Sequence, residues 1–344
     1  MHLSSRSFLA GAFLREAYAD PVMGENRQPQ IAVVGPGAVG CLFASFFSRA
    51  GHAVSLLDKR PERARTLSEQ GVSLLETDGA SQRFMIPVFT EPETGPCDVL
   101  FICVKAFDTL AAVQHALALV DRDTTVVSLQ NGLGNLETLA ANITPGQVVC
   151  AVTGHGATML APGSVRHAGS GITRVAPFAA QGMQRAALVE KLLASAGLDI
   201  ECLPDVESVR WSKLVVNAAV NPLSAIHDVP NGRLVQDMEL GQRMRQAADE
   251  GQRVAVARGV DLLYSNAGDE AERVCRDTGE NLSSMLQDVR RKKRTEIDAI
   301  NGAIVASAVG LGIPAPVNTN LVEQIHRIEQ SRWTQVSGER SDII

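Results

Sequence analysis

The feature that most restricts this chain is the turn Gly35-Pro36-Gly37-Ala38-Val39-Gly40, set inside "IAVVGPGAVGCLFASFFSRAGHAVSLLDKR". Ile31 to Val34 form an apolar run before it. An amphipathic stretch follows to about Ala50, and a second apolar run extends from about Ala53 to Leu57. Strand, glycine turn, helix and strand open a doubly wound α/β sheet, the setting in which G-x-G-x-x-G has meaning. Gly35 permits the tight turn, Gly37 lets backbone approach a pyrophosphate, and Gly40 lets the helix pack on the strand. The helix N-terminus then faces the phosphate charge. Gly35, Pro36, Gly37, Ala38, Val39 and Gly40 are therefore expected to hold a dinucleotide.

The end of the second strand carries a mixed signal. Asp58 stands near where a carboxylate would accept from a ribose 2′-hydroxyl, which favours NAD. Lys59 and Arg60 follow at once and suit a 2′-phosphate. "CDVLFICVKA" (97–106) and "TTVVSLQNGLGN" (124–135) read as further strands covered on both faces. The carboxyl ends of parallel strands line the ligand crevice, so Lys105 and the Gln130-Asn131-Gly132 tip are expected on the nicotinamide side; an ordinary turn is the alternative for Asn131-Gly132. After Val148 a Gly-rich, β-rich stretch reads as strands extending the same sheet, with His155 and His167 as strand or loop residues. A helix from about Met183 to Ala196 and the short strand "LDIECLP" close this half near Pro204.

A chain of 344 residues is long for one core and suggests two domains. A formal charge of −6 gives no basic field for nucleic acid or an anionic membrane, so small molecules are the expected partners. Six cysteines without a Cys-x-x-Cys pair read as buried free thiols in a reducing, cytoplasmic compartment. No apolar run is long enough to span a membrane. Residues 1–29 loosely imitate a secretory signal, but Arg15 and Glu16 interrupt the apolar stretch; a frayed leader, or a start site assigned upstream of Met23, is expected there, and a tail over 332–344.

From Asp205 the texture is helical, with segments at 206–226, 234–258, 270–287, 294–310 and 317–330, punctuated by Pro222, Pro230-Asn231-Gly232, Pro314 and Pro316. The expected organisation is a Rossmann-like α/β domain over 30–204 and an all-α domain over 205–331, with the site in the cleft between them. In the first helix, Lys213, Asn217 and Asn221 recur every four residues, so they climb one face with a drift of about 40° per step. The run "RRKKR" (290–294) reads as a solvated link between two helices, or as a group that holds cofactor phosphates when the cleft closes.

Taken together, "GPGAVG", "VKAFDT", "QNGLGN", "WSKLVVNAAVNPLSAI", "PNGRL" and "SSMLQDVRRKKRTEIDAINGAIV" resemble the 2-dehydropantoate 2-reductase (ketopantoate reductase) family over about Ile31 to Glu329. The resemblance implies a C-terminal domain like that of 6-phosphogluconate dehydrogenase. It also implies NADPH-dependent reduction of 2-dehydropantoate to (R)-pantoate, on the route to pantothenate and coenzyme A. Hydride delivery to a ketone leaves negative charge on oxygen, which calls for a proton donor, and the resemblance gives that role to Lys213. Asn217, Asn221, Asn231, Ser284 and Asn131 match substrate positions, although adjacent Ser283 competes with Ser284 for the inward face. Glu296 matches a residue that contacts substrate or holds Lys213; a helix-start acid beside Thr295 is the alternative. Lys59, Arg60, Lys105, Asn131 and Glu296 complete the expected cofactor set, with no metal.

Asp58 departs from the family pattern and leaves NADH open beside NADPH. Exposed helices leave room for a homodimer. The alternatives are a sibling reductase of another 2-keto or hydroxy acid and a non-catalytic NADP(H)-binding regulator.

Overall fold

The computed structural model describes residues 28–338. The leader expected over 1–29 lies outside them except for its last two residues, as does the end of the 332–344 tail. The nucleotide half opens as the glycine turn demands, with Gln30–Val34 (β1), Ala38–Arg49 (α1) and Ala53–Leu57 (β2). It continues through Pro61–Gln70 (α2), Val72–Leu75 (β3), Ser81–Phe84 (β4), Val88–Phe89 (β5), Val99–Ile102 (β6), Thr109–His115 (α3), Thr125–Ser128 (β7) and Asn135–Ala140 (α4). Val148–Thr153 (β8), Gly156–Ala161 (β9), Ser164–Gly169 (β10), Thr173–Pro177 (β11), Met183–Ser195 (α5) and Ile200–Cys202 (β12) complete it.

The main sheet has eight strands in the order β12-β11-β8-β7-β6-β1-β2-β5, all parallel except where β8 meets β11. The chain turns one way from β1 to β2 and the other way to β6. The crevice of such a sheet opens at that switch point. Gly35 follows β1, Lys105 follows β6 and Asn131 follows β7, so three expected site segments share one rim. Apolar clusters cover both faces of the sheet; Phe43, Phe46 and Phe47 of α1 pack on one of them.

One expectation fails here. Only β8, β11 and β12 extend the main sheet, whereas β9 and β10 join β3 and β4 in a separate four-stranded sheet, β4-β3-β10-β9, that packs on α1. A chain of side chains fastens it. His155 Nδ1 meets His167 Nε2 at 3.0 Å, His167 Nδ1 meets Glu76 Oε2 at 2.7 Å, and Arg49 donates to Glu76 Oε1 at 2.6 Å. His155 also stacks edge-on against Phe43 and Phe46. Burial and the neighbouring His167 push the His155 pKa down to about 4, so the ring is neutral at pH 7.

The helical half comprises Val206–His227 (α6), Asn231–Gln236 (α7), Met238–Ala257 (α8), Ala267–Asp277 (α9), Ser284–Arg290 (α10), a π-turn over Asp298–Gly302, Ala303–Leu311 (α11) and Pro316–Gly338 (α12). The helix expected over 270–287 is two helices. The loop between α9 and α10 gives its Gly279 and Asn281 carbonyls to the N–H groups of Gly232 and Asn231, both at 2.9 Å. Fully buried Trp211 anchors a single apolar cluster in this half. Among the described residues, no helix is long and apolar enough to cross a membrane.

Candidate active site

The glycine turn fits the group its sequence predicts. Gly35 has φ +87°, and a Cβ there would meet Val104 at 2.5 Å. A Cβ on Gly40 would strike the Gly35 carbonyl at 2.3 Å, whereas one on Gly37 would meet nothing nearer than 4.0 Å. Gly37 thus leaves open space in front of α1. That helix has neither a side-chain N-cap nor an acidic residue in its first turn, so its leading N–H groups stay free for an anion.

At the end of β2, Asp58 is 1% exposed and both its oxygens are engaged by the Arg63 guanidinium, one through Arg63 Nη2 at 2.7 Å. It also accepts from the Arg60 N–H at 3.1 Å. Lys59 is held by Asp108 at 2.9 Å, while the Arg60 guanidinium makes no hydrogen bond or ion pair among the described residues. Arg63 was not anticipated. Its signal was Pro61, which starts a helix and places Arg63 in the first turn, back over the strand end.

The second half of the site rises on α6. Asp205 caps it, accepting from Glu207 N at 2.9 Å and Ser208 Oγ at 2.6 Å. Lys213 and Asn217 are half-buried and Asn221 is 6% exposed, on a helix whose other faces are packed. Asn217 Nδ2 donates to Asn131 Oδ1 at 3.3 Å, so the stripe faces the rim of the nucleotide sheet. Asn131 is in turn fixed by Asn135 Nδ2, which donates to its carbonyl at 2.9 Å. Gly132 sits at φ +84°, and a Cβ there would meet the Ala299 carbonyl at 2.6 Å, so this tip is docked against the π-turn and is more than an ordinary turn.

Pro222 lies inside α6 and cannot donate to the Ala218 carbonyl four residues earlier. Asn301, from the π-turn, supplies the missing donor through Nδ2 at 2.9 Å. One buried amide thus ties the helix that carries Lys213 to the turn that receives Gly132. In sequence Pro222 looks like a stop, and only the tertiary partner shows how the helix runs through it.

Asn221, Asn231 and Ser284 gather around the loop between α9 and α10. Asn231 donates from Nδ2 to Thr278 Oγ1 at 2.9 Å, and its Oδ1 is buried without a partner. Ser283 is the N-cap of α10: its hydroxyl accepts from Leu286 N at 3.0 Å and donates to the Asn221 carbonyl at 3.3 Å. The half-buried hydroxyl of Ser284 is left uncommitted among the described residues.

Glu296 does not hold Lys213. It accepts from Lys105 Nζ at 3.1 Å and from Ala106 N at 3.0 Å, and Asp288, which was not anticipated, takes Lys105 Nζ at 2.6 Å. Burial alone would loosen the Lys105 proton, but Glu296 and Asp288 outweigh it and raise the pKa above the usual lysine range. Burial pushes the Asp288 carboxyl up against the opposing pull of Lys105. Lys213 Nζ makes no hydrogen bond or ion pair among the described residues. Burial lowers its pKa, with Arg174 reinforcing the shift and Glu270 opposing it. The arrangement can therefore bind an anionic dinucleotide on one wall and present, from the other, an ammonium that gives up its proton readily.

Comparison with known proteins agrees with this geometry. The family described as "Ketopantoate reductase PanE/ApbA" matches residues 31–180, and its C-terminal counterpart matches 205–329. A 2-dehydropantoate 2-reductase of Archaeoglobus fulgidus is 36% identical over 303 residues, 88% of this chain and 99% of that protein. A crystal structure of a PanE/ApbA family ketopantoate reductase from Ralstonia eutropha JMP134 superposes with a TM-score of 0.78 at 33% identity, covering 88% of this chain and 99% of the other. D-mandelate dehydrogenase, solved with NADH and anilino(oxo)acetate, superposes with a TM-score of 0.82 at 25% identity over 88% of this chain and 99% of its own. With both halves matched in order, and a relative aligned along nearly its whole length, this chain belongs to the ketopantoate reductase family.

Proposed function

We propose that this chain reduces the ketone of 2-dehydropantoate to (R)-pantoate, using NADPH, with Lys213 as the proton donor. The observation that carries the reading is the bond from Asn217 to Asn131, which brings the polar stripe of α6 to the nicotinamide rim of the sheet. When bound, the nicotinamide supplies a hydride to the carbonyl carbon. Lys213 then gives its proton to the carbonyl oxygen, and its lowered pKa eases the transfer. Asn217 and Asn221 offer neutral hydrogen-bonding groups to the substrate's hydroxyl and carboxylate, and the unpaired Asn231 Oδ1 and the Ser284 hydroxyl add two more. Lys105, tied to Asp288 and Glu296, keeps the two walls together beside the reacting centre. The NADPH preference rests on Asp58, whose carboxylate is occupied by Arg63 while Arg60 stays free.

The test is an initial-rate assay with 2-dehydropantoate, following NADPH and NADH oxidation separately, in the wild type and Lys213→Ala. NADPH-dependent turnover that collapses in the variant supports the reading; turnover that survives the substitution removes Lys213 from the chemistry. A second reading, reduction of another 2-keto acid, is favoured by the likeness to D-mandelate dehydrogenase. Faster turnover of the keto acid corresponding to mandelate than of 2-dehydropantoate would select it. Cofactor binding with no ketone reduced would point to a regulator.

A further inference from the structure

The segment from Asp288 to Glu296 belongs to the helical half but is stitched to the nucleotide half along its length. Asp288 and Glu296 hold Lys105 at 2.6 and 3.1 Å, and Glu296 accepts from Ala106 N at 3.0 Å. Arg291 donates to the Met159 carbonyl of β9, and the Arg294 guanidinium lies 4.7 Å from the centroid of the Phe107 ring. The chain reverses at Lys292, which has φ +52°, and this turn closes with Lys293 N on the Asp288 carbonyl at 2.9 Å.

That reversal puts Lys293 among cations of both halves. Lys59, next to Arg60, is held by Asp108 at 2.9 Å, and Arg294 lies over the ring of the adjacent Phe107, so the end of β2 and this reversal meet around one turn. Partial desolvation lowers the pKa of the exposed Lys293, and the charges of Arg291, Arg60 and Arg63 lower it further, with Asp288 pulling the other way. Arg63 is neutralised by Asp58 and Asp288 is shared with Lys105, but the charges of Arg60 and Arg291 have no carboxylate partner among the described residues. Like charges gathered without counter-charge raise the energy of the empty site and lower it when an anion enters. The gathering lies at the end of β2, beside the place where the adenosine ribose of a bound dinucleotide rests.

We propose that Arg291 and Lys293 of the helical half join Arg60 in a two-domain clamp on the 2′-phosphate of the dinucleotide. The choice between the phosphorylated and unphosphorylated cofactor is then made partly by the second domain. The inference rests on the reading that the glycine turn holds a nicotinamide dinucleotide. Lys292 is not part of the clamp, since its role is the left-handed turn.

Calorimetric titration of the full chain with NADPH, NADH, adenosine 2′,5′-bisphosphate and 5′-AMP tests it in Arg60→Gln, Arg291→Gln, Lys293→Gln and Lys292→Gln. The first three are each expected to weaken NADPH and the bisphosphate about tenfold while leaving NADH and 5′-AMP unchanged, as loss of one charge-assisted phosphate contact predicts. Lys292→Gln is expected to match the wild type, and circular dichroism melts identify any variant that has lost its fold. Wild-type affinity for NADPH in both Arg291→Gln and Lys293→Gln would overturn the clamp and leave the dinucleotide reading standing. Equal weakening of NADPH and NADH would also overturn it. A wild-type chain that binds neither cofactor would overturn both readings.

Discussion

Two lysines of one cleft have opposite fates. Lys105 sits on the nucleotide rim between two carboxylates, at 2.6 and 3.1 Å, and its proton is held more tightly than in a free lysine. Lys213 sits on the facing helix with no partner among the described residues, and burial loosens its proton. The difference is set by neighbours and not by residue type. A buried ammonium with anions beside it works as a fastener, whereas one left to desolvation becomes an acid.

The sharpest way to break this contrast is to remove Lys213. Lys213→Ala is expected to lower kcat by about 10²- to 10⁴-fold, the usual contribution of a positioned acid, with NADPH affinity by titration unchanged. The same contrast predicts a pH dependence. As the proposed proton donor Lys213 would act while protonated, so kcat is expected to fall as pH rises through its folded-state pKa. Because that pKa is lowered, the decline begins below the value of about 10.4 for a free lysine, and the Lys213→Ala profile lacks this limb.

Removing the fastener should act on stability instead. Lys105→Ala leaves Asp288 and Glu296 buried beside each other. The expected loss is about 2 kcal/mol in calorimetric unfolding, below the range for a fully buried pair because Lys105 keeps about a third of its side chain exposed. Asp288→Asn in the same chain should restore part of the loss. A smaller effect is expected from Asn301→Ala, which strands the Ala218 carbonyl under the Lys213 helix: about 1 to 2 kcal/mol, read by denaturant unfolding. Smallest is Lys292→Gly. It relieves a left-handed non-glycine residue, partly offset by a freer unfolded chain, and should raise stability by about 0.5 kcal/mol.

How far the sequence reveals this molecule follows the range of the forces involved. The glycine turn was legible because its demands are local: Gly35, Gly37 and Gly40 each serve backbone within a few residues or open space beside it. The stripe of Lys213, Asn217 and Asn221 was legible because helical periodicity alone puts the three on one face. The partner of Glu296 was not legible, since Lys105 lies 191 residues away and nothing near Glu296 announces it. The same holds for β9 and β10, whose alternating pattern marks them as strands but cannot say which sheet they join. The merged helix at 270–287 is an intermediate case. Ser283 is a good cap signal in plain view, but the carbonyls that Gly279 and Asn281 spend on Gly232 and Asn231 belong to tertiary structure.

The π-turn at Asp298–Gly302 has a further meaning. It closes with Gly302 N on the Ile297 carbonyl, five residues back, so it accommodates one residue more than an α-helical turn. In effect it is a wide first turn: residues 291–297 before it are not helical, and it sets where the chain from Glu296 joins α11. Deleting one residue there would tighten this first turn and move the point where the preceding chain enters by about 100° around the axis. Glu296 would swing away from Lys105, and Ala299 would leave Gly132 without its seat. The alignment of the two walls therefore depends on a single extra residue, which acts as a rotational offset between the cofactor rim and the helical core.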